Sequence, residues 1–83
     1  MNTCIISTFN CSFEDFKNKV EEQRSEWSKF IDDYEIAKVN ENKSIMVMNV
    51  LDFESMQEFM TTEEMQKWDA ENGCVDKVYS MSQ

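Results

Sequence analysis

The sequence predicts an α+β fold of element order β-α-β-β-α-β, and three observations carry that prediction. Short segments rich in β-branched and aromatic residues lie at 3–9, 34–40, 45–51 and 75–81. Between them, two longer segments repeat apolar residues at helical spacing. Each helical segment opens on an N-cap residue, Ser12 and Asp52. The 83 residues, 41% of them hydrophobic, suffice for one domain over 1–83 with its own core.

Thr3 to Phe9 is the first strand, and Asn10-Cys11-Ser12 the turn that follows. Ser12 caps a helix predicted from Phe13 to about Ile31. Asp15 completes an acidic capping box, with Cys11 and Phe16 in staple positions. Phe13, Phe16, Val20, Trp27, Phe30 and Ile31 form the apolar stripe, interrupted at Gln23 and Arg24. Tyr34 to Asn40 is the second strand. In the break Glu41-Asn42-Lys43, Asn42 is the residue best suited to a left-handed conformation. Ile45 to Leu51 is almost continuously apolar, as in a strand buried on both faces. Asp52 starts the next helix, with Met56, Phe59 and Met60 on its buried side. Thr61-x-x-Glu64 is a second capping box, so this helix is predicted to break and restart near Thr61. Gly73 suits a left-handed helix end, and Val75 to Met81 is the last strand.

This order is the split-βαβ, ferredoxin-like arrangement. Right-handed crossovers place both helices on one face of a four-stranded antiparallel sheet of order 4-1-3-2. Both faces of the central strands are apolar, yet the helices cover one. Ile5 and Phe9 with Ile45 and Val47 form one expected set; Ile6 with Met46, Met48 and Val50 forms the other. Ala37 and Val39 are expected beside the methionine set, and Tyr34, Ile36 and Lys38 beside the isoleucine set. The methionine set is expected to face the helices. The bare face would expose more apolar surface than a soluble monomer carries, so a homodimer through that face is expected.

At motif level the stretch Val50-Leu51-Asp52-Phe53 through Phe59-Met60-Thr61-Thr62-Glu63-Glu64-Met65 resembles the dimeric α/β-barrel superfamily, which includes antibiotic-biosynthesis-monooxygenase-like proteins. The resemblance implies a ferredoxin-like dimer. It also implies that cofactor-free monooxygenases of the family hold an aromatic substrate with Asn, Trp and Arg. Asn49, Trp27 and Arg24 are the counterparts available in this sequence. Members often carry His near the position of Met60. This chain has no His, which argues against His-dependent or haem-dependent activity.

Composition narrows the function further. A net charge of −9 disfavours nucleic acid and anionic membrane as partners. No apolar run approaches the ~20 residues of a membrane span, and the N-terminus lacks a signal-peptide pattern. Three Cys without framework spacing are expected to be free thiols in the cytoplasm, with Cys11 and Cys74 the nearest pair. Neither haem nor structural zinc is expected, and no cofactor is predicted. Arg24 either orients a ligand or lays its stem along the core edge. Asn49 either holds a ligand or meets water or backbone at the strand end. Trp27, Tyr34 and Trp68 either line a pocket or simply fill the core. The residues thus predict a homodimer with a binding or interaction role, its ligand a small apolar or aromatic molecule. The alternative is a cofactor-free monooxygenase or isomerase working in a pocket between sheet and helices.

Overall fold

The computed structural model describes residues 1–81. Strand β1 spans Thr3–Thr8, followed by helices α1 (Phe13–Glu22) and α2 (Arg24–Trp27). Strands β2 (Ile31–Asn40) and β3 (Lys43–Val50) form a hairpin. Helices α3 (Phe53–Met60) and α4 (Glu63–Asn72) lead to strand β4 (Val75–Ser80). The sheet is antiparallel with order β2-β3-β1-β4, as the split-βαβ topology requires. The fold is ferredoxin-like α+β, with each expected helix divided in two.

Register decides which residues meet the helices. Ile5 pairs with Met46 and Thr3 with Met48, while Ile36 and Tyr34 pair with Met46 and Met48 from the other side. Directly opposed residues share a face, so Ile5, Tyr34 and Ile36 lie with the methionines. The methionine set does face the helices, but the expected partners were one residue out of step. Ile6 pairs with Ile45 and Ala37 also pairs with Ile45, on the helix-free face. Because strand side chains alternate with period 2, a slip of one residue exchanges the faces completely. The helix-free face therefore carries Cys4, Ile6, Ala37, Ile45, Val47 and Tyr79.

The core gathers Ile5, Ile31, Met48 and Val50 from the sheet against Trp27 and Met56 from the helices. Phe9 stacks on Phe16 with ring centroids 4.4 Å apart and planes within 7°. Burying each such side chain contributes about 1.5–3 kcal/mol. Asn2 extends the central β1–β3 ladder by its side chain: its amide donates to the Val50 carbonyl, and its oxygen accepts from the Val50 N–H, both at 2.9 Å.

The first helix does not run to Ile31. It breaks at Gln23, whose backbone (φ −96°, ψ 8°) leaves the helical region. The break turns Trp27 into the core, where its indole N–H donates to the Val20 carbonyl at 2.9 Å. Chain from Ile31 onward then joins the sheet. Asn42 is not left-handed, since no described residue other than Gly73 has positive φ. The turn is held by hydrogen bonds instead: Asn42 N–H donates to Asn40 Oδ1 at 2.8 Å, and the Asn42 amide donates to the Cys11 carbonyl at 3.1 Å.

The caps at Ser12 and Asp52 are as expected. Ser12 Oγ accepts from Asp15 N–H at 3.1 Å, and Asp52 Oδ1 accepts from Glu54 and Ser55 N–H. The second restart is displaced by one residue. Thr62, rather than Thr61, caps α4 by accepting from Met65 N–H at 3.3 Å. Thr61 bonds backwards, its hydroxyl donating to the Gln57 carbonyl at 2.8 Å. Gly73 closes α4 at φ +58°. No helix among the described residues is long and apolar enough to cross a membrane.

Candidate functional site

A chamber of about 90 Å³ lies between the methionine face of the sheet and the helices. Its wall is mostly apolar. Met46 and Met48 form the floor, and Phe16, Phe59, Met60 and Trp68 form much of the cover. Methionine is unbranched and adapts to irregular space, so such a wall can reshape around a guest.

Three of the five residues singled out in the sequence meet at this chamber: Trp27, Tyr34 and Trp68. Trp27 and Tyr34 pack edge-to-face with centroids 4.7 Å apart. Tyr34 is on the expected edge strand but on the opposite face from the one expected, and its hydroxyl donates to Glu21 Oε1 at 2.8 Å. Burial, then the Glu21 carboxylate, hold its phenol above the usual pKa. Trp68 tilts against Phe16 at 6.2 Å.

The other two do not join them. Arg24 is exposed, 3.8 Å from Glu21 and 5.7 Å from the centre of the Tyr34 ring. Its guanidinium points to solvent rather than into the chamber, because the break at Gln23 rotates it off the apolar stripe. Asn49 alternates with Met48 along β3 and so belongs to the helix-free face. The polar residue that does occupy the core side of the interrupted stripe is Gln23, buried and in the chamber wall.

Ser7, Asp69, Cys74 and Asp76 are functional candidates that the expected site omitted. Asp69 comes from the last turn of α4, Cys74 follows the Gly73 cap, and Asp76 turns inward from β4. One ligand atom from each of Asp69, Cys74 and Asp76 lies within 4.8 Å of the others. Ser7 Oγ donates to Asp76 Oδ1 at 2.5 Å, and Cys74 Sγ donates to the same oxygen at 3.6 Å. Burial is the main cause that pushes the Asp69 carboxyl up, and the Asp76 charge adds to it. Burial, then Asp76 and Asp69, push the Cys74 thiol far above its ordinary value. The sequence signal for this group was faint. Asp76 lies at an inward position of β4, but Asp69 and Cys74 reach it only through the sharp turn at Gly73.

All three cysteines are free thiols. Cys4 lies within β1 on the helix-free face, Cys11 in the turn before α1, and Cys74 in the chamber wall.

The fold is that of the antibiotic-biosynthesis-monooxygenase-like ferredoxin-fold proteins. The chain is similar to SnoaB, a cofactor-independent oxygenase from Streptomyces nogalater, with TM-score 0.65 and 6% identity, covering 99% of this chain and 92% of that one. It is also similar to a putative antibiotic biosynthesis monooxygenase from Deinococcus radiodurans, with TM-score 0.56 and 8% identity over 98% and 91% of the two chains. A third structure, an antibiotic biosynthesis monooxygenase, has TM-score 0.53 and 14% identity over 100% and 98%. At these identities the likeness is one of fold. No protein-family model and no curated protein sequence matches the chain.

Proposed function

We propose that the protein is a homodimeric small-ligand-binding protein, with one small apolar or aromatic molecule held between sheet and helices in each subunit. The observation that carries this reading is the chamber itself: an apolar floor and cover of methionines and aromatics, interrupted by a few convergent polar groups. That composition is typical of small-molecule sites. Its volume, about 90 Å³, falls well short of the ~300 Å³ at which drug-sized sites begin, and favours a ligand of few atoms. The apolar helix-free face supports assembly in pairs, since face-to-face burial of ~800 Å² per partner is typical of a stable interface. An acidic chain with unpaired thiols fits a reducing cytoplasm.

A second reading, cofactor-free oxygenation or isomerisation, is supported by the fold shared with a cofactor-independent oxygenase and by the carboxylates in the wall. The small chamber and the outward positions of Arg24 and Asn49 count against it.

Thermal-shift titration with small neutral aromatics such as phenol, benzyl alcohol and indole tests the binding reading. A saturable rise in melting temperature is expected, and it should be lost in Met48→Trp, which fills the floor. If no member of the panel shifts the transition while the protein is folded, the binding reading falls.

A further inference from the structure

We propose that the chamber is built to bind a small apolar primary amine, its ammonium seated between Asp69 and Asp76 and its hydrocarbon body along the methionine and aromatic wall. The proposal deepens the small-ligand reading and rests on it.

Two independent observations converge. The first is uncompensated negative charge. Asp69 and Asp76 both face the chamber, and no cation among the described residues pairs with either. Lys19 is also in the wall, but its ammonium is taken by Glu64 at 3.3 Å. Burial and then the Asp76 charge raise the cost of ionising Asp69, and the donors that face the pair are a hydroxyl and a thiol. Ser7, almost wholly buried, fixes the orientation of Asp76 by donating to it. A ligand that brings its own positive charge removes the repulsion.

The second observation is Gln23. It is 7% exposed and sits in the chamber wall, yet its side-chain amide makes no hydrogen bond among the described residues. Among the described residues only the Ser44 hydroxyl is sealed off without a partner, so the Gln23 amide keeps access to solvent, and in a chamber-facing residue a guest can take that place. Its carbonyl is an acceptor for a ligand N–H or O–H, and its position facing the chamber makes the guest the available partner.

The same surroundings decide against other occupants. An anion would meet two carboxylates. A bare metal ion would use none of the apolar wall and leave Gln23 unmatched. Ligation by Cys74 would also have to release a thiol proton that burial, then Asp76 and Asp69, favour. An ammonium group suits the site because its three N–H donors match the carboxylate oxygens. A cavity of about 90 Å³ takes a short amine, and movement of the methionine side chains admits a slightly larger one.

The test compares isosteres on the intact protein at pH 7 and constant ionic strength. Isobutylamine and benzylamine would be titrated by calorimetry against isobutanol, benzyl alcohol, isobutyrate and benzoate. The expected result is at least tenfold tighter binding of each amine than of its alcohol, with no carboxylate binding. Asp69→Asn and Asp76→Asn, both near-isosteric, should each bring amine affinity to within about twofold of the alcohol. An unchanged circular dichroism spectrum and a cooperative melt show that the variants are folded. Equal binding of amine and alcohol by the unaltered protein would overturn the amine proposal and leave the small-ligand reading standing. Silence from every compound, the neutral aromatics included, would remove both. Stoichiometric Zn²⁺ binding that displaces benzylamine would overturn the proposal in favour of a metal site.

Discussion

Gly73 holds α4 to β4 in a conformation that other residues resist. Its φ of +58° is left-handed, and an added Cβ would lie 2.3 Å from Asn10 Nδ2. Gly73→Ala should destabilise the protein by about 1–2 kcal/mol from the left-handed penalty, before Asn10 is displaced. Urea unfolding monitored by circular dichroism would measure it. Ser44 makes the opposite case. Its hydroxyl is fully buried and has no hydrogen-bond partner. Ser44→Ala should leave stability unchanged or raise it by up to about 1 kcal/mol, because an unmet buried group is removed. A clear loss in the same unfolding experiment would show that the hydroxyl is satisfied. Asp69 governs a pH effect. Its carboxyl is raised above the ordinary value of 3.8 in the folded chain, so the folded state holds that proton more tightly than the unfolded one. Its contribution is fully present below pH 3.8 and is lost as pH rises through the folded pKa. At neutral pH, Asp69→Asn should therefore melt higher than the natural protein, and the gap should close on acidification. Asp52 acts in the reverse sense. Hydrogen bonds from Ser55 lower its pKa, so its stabilising effect is present above 3.8 and fades as pH falls through the lowered value. Melting temperatures of both proteins across pH separate the two contributions.

At the scale of elements, the break at Gln23 shapes the site. A straight helix to Ile31 would have carried Trp27 along a regular stripe. The bend instead gives its indole a backbone acceptor at Val20 and places Tyr34 against its ring. Trp27→Phe removes that hydrogen bond along with part of the ring, and should cost about 2 kcal/mol in urea unfolding. The element order, the caps at Ser12 and Asp52 and the end at Gly73 were legible because each rests on local chemistry. The helix break was legible only as a polar interruption at Gln23 and Arg24, since the hydrogen bond that rewards it comes from Trp27. Strand register was harder still: Ile5 and Ile6 are chemically alike, and only pairing across the sheet tells them apart. The aromatic part of the site followed from helical spacing. Its acidic part did not, because Asp69, Cys74 and Asp76 straddle a helix end and a strand start, where neither period applies.

For the whole molecule, the helix-free face sets the expected assembly. Ile6, Ile45 and Val47 sit at its centre on β1 and β3. Ile45→Lys should abolish pairing while leaving the chamber's ligand affinity within about twofold, since Ile45 faces away from it. Light scattering at micromolar concentration should give twice the 9.9 kDa chain mass for the natural protein and the single mass for the variant. A single mass for both would remove the dimer.

The inward turn of Asp76 has a second consequence, for how the chain behaves in a crowded solution. The sheet has two outer strands, β2 and β4, each with one row of backbone groups unpaired within the sheet. Such rows recruit strands from other chains unless something spoils them. On β2, register irregularities between Ile31 and Tyr34 and between Lys38 and Asn40 bend the row. On β4 the spoiler is Asp76, a charge aimed at the core side that an incoming strand would have to tolerate beside its own residues. The group that equips the chamber thus also guards the sheet against lateral growth. Asp76→Val should bring faster fibril formation under agitation, read by a dye that reports cross-β structure, even where the variant melts no lower.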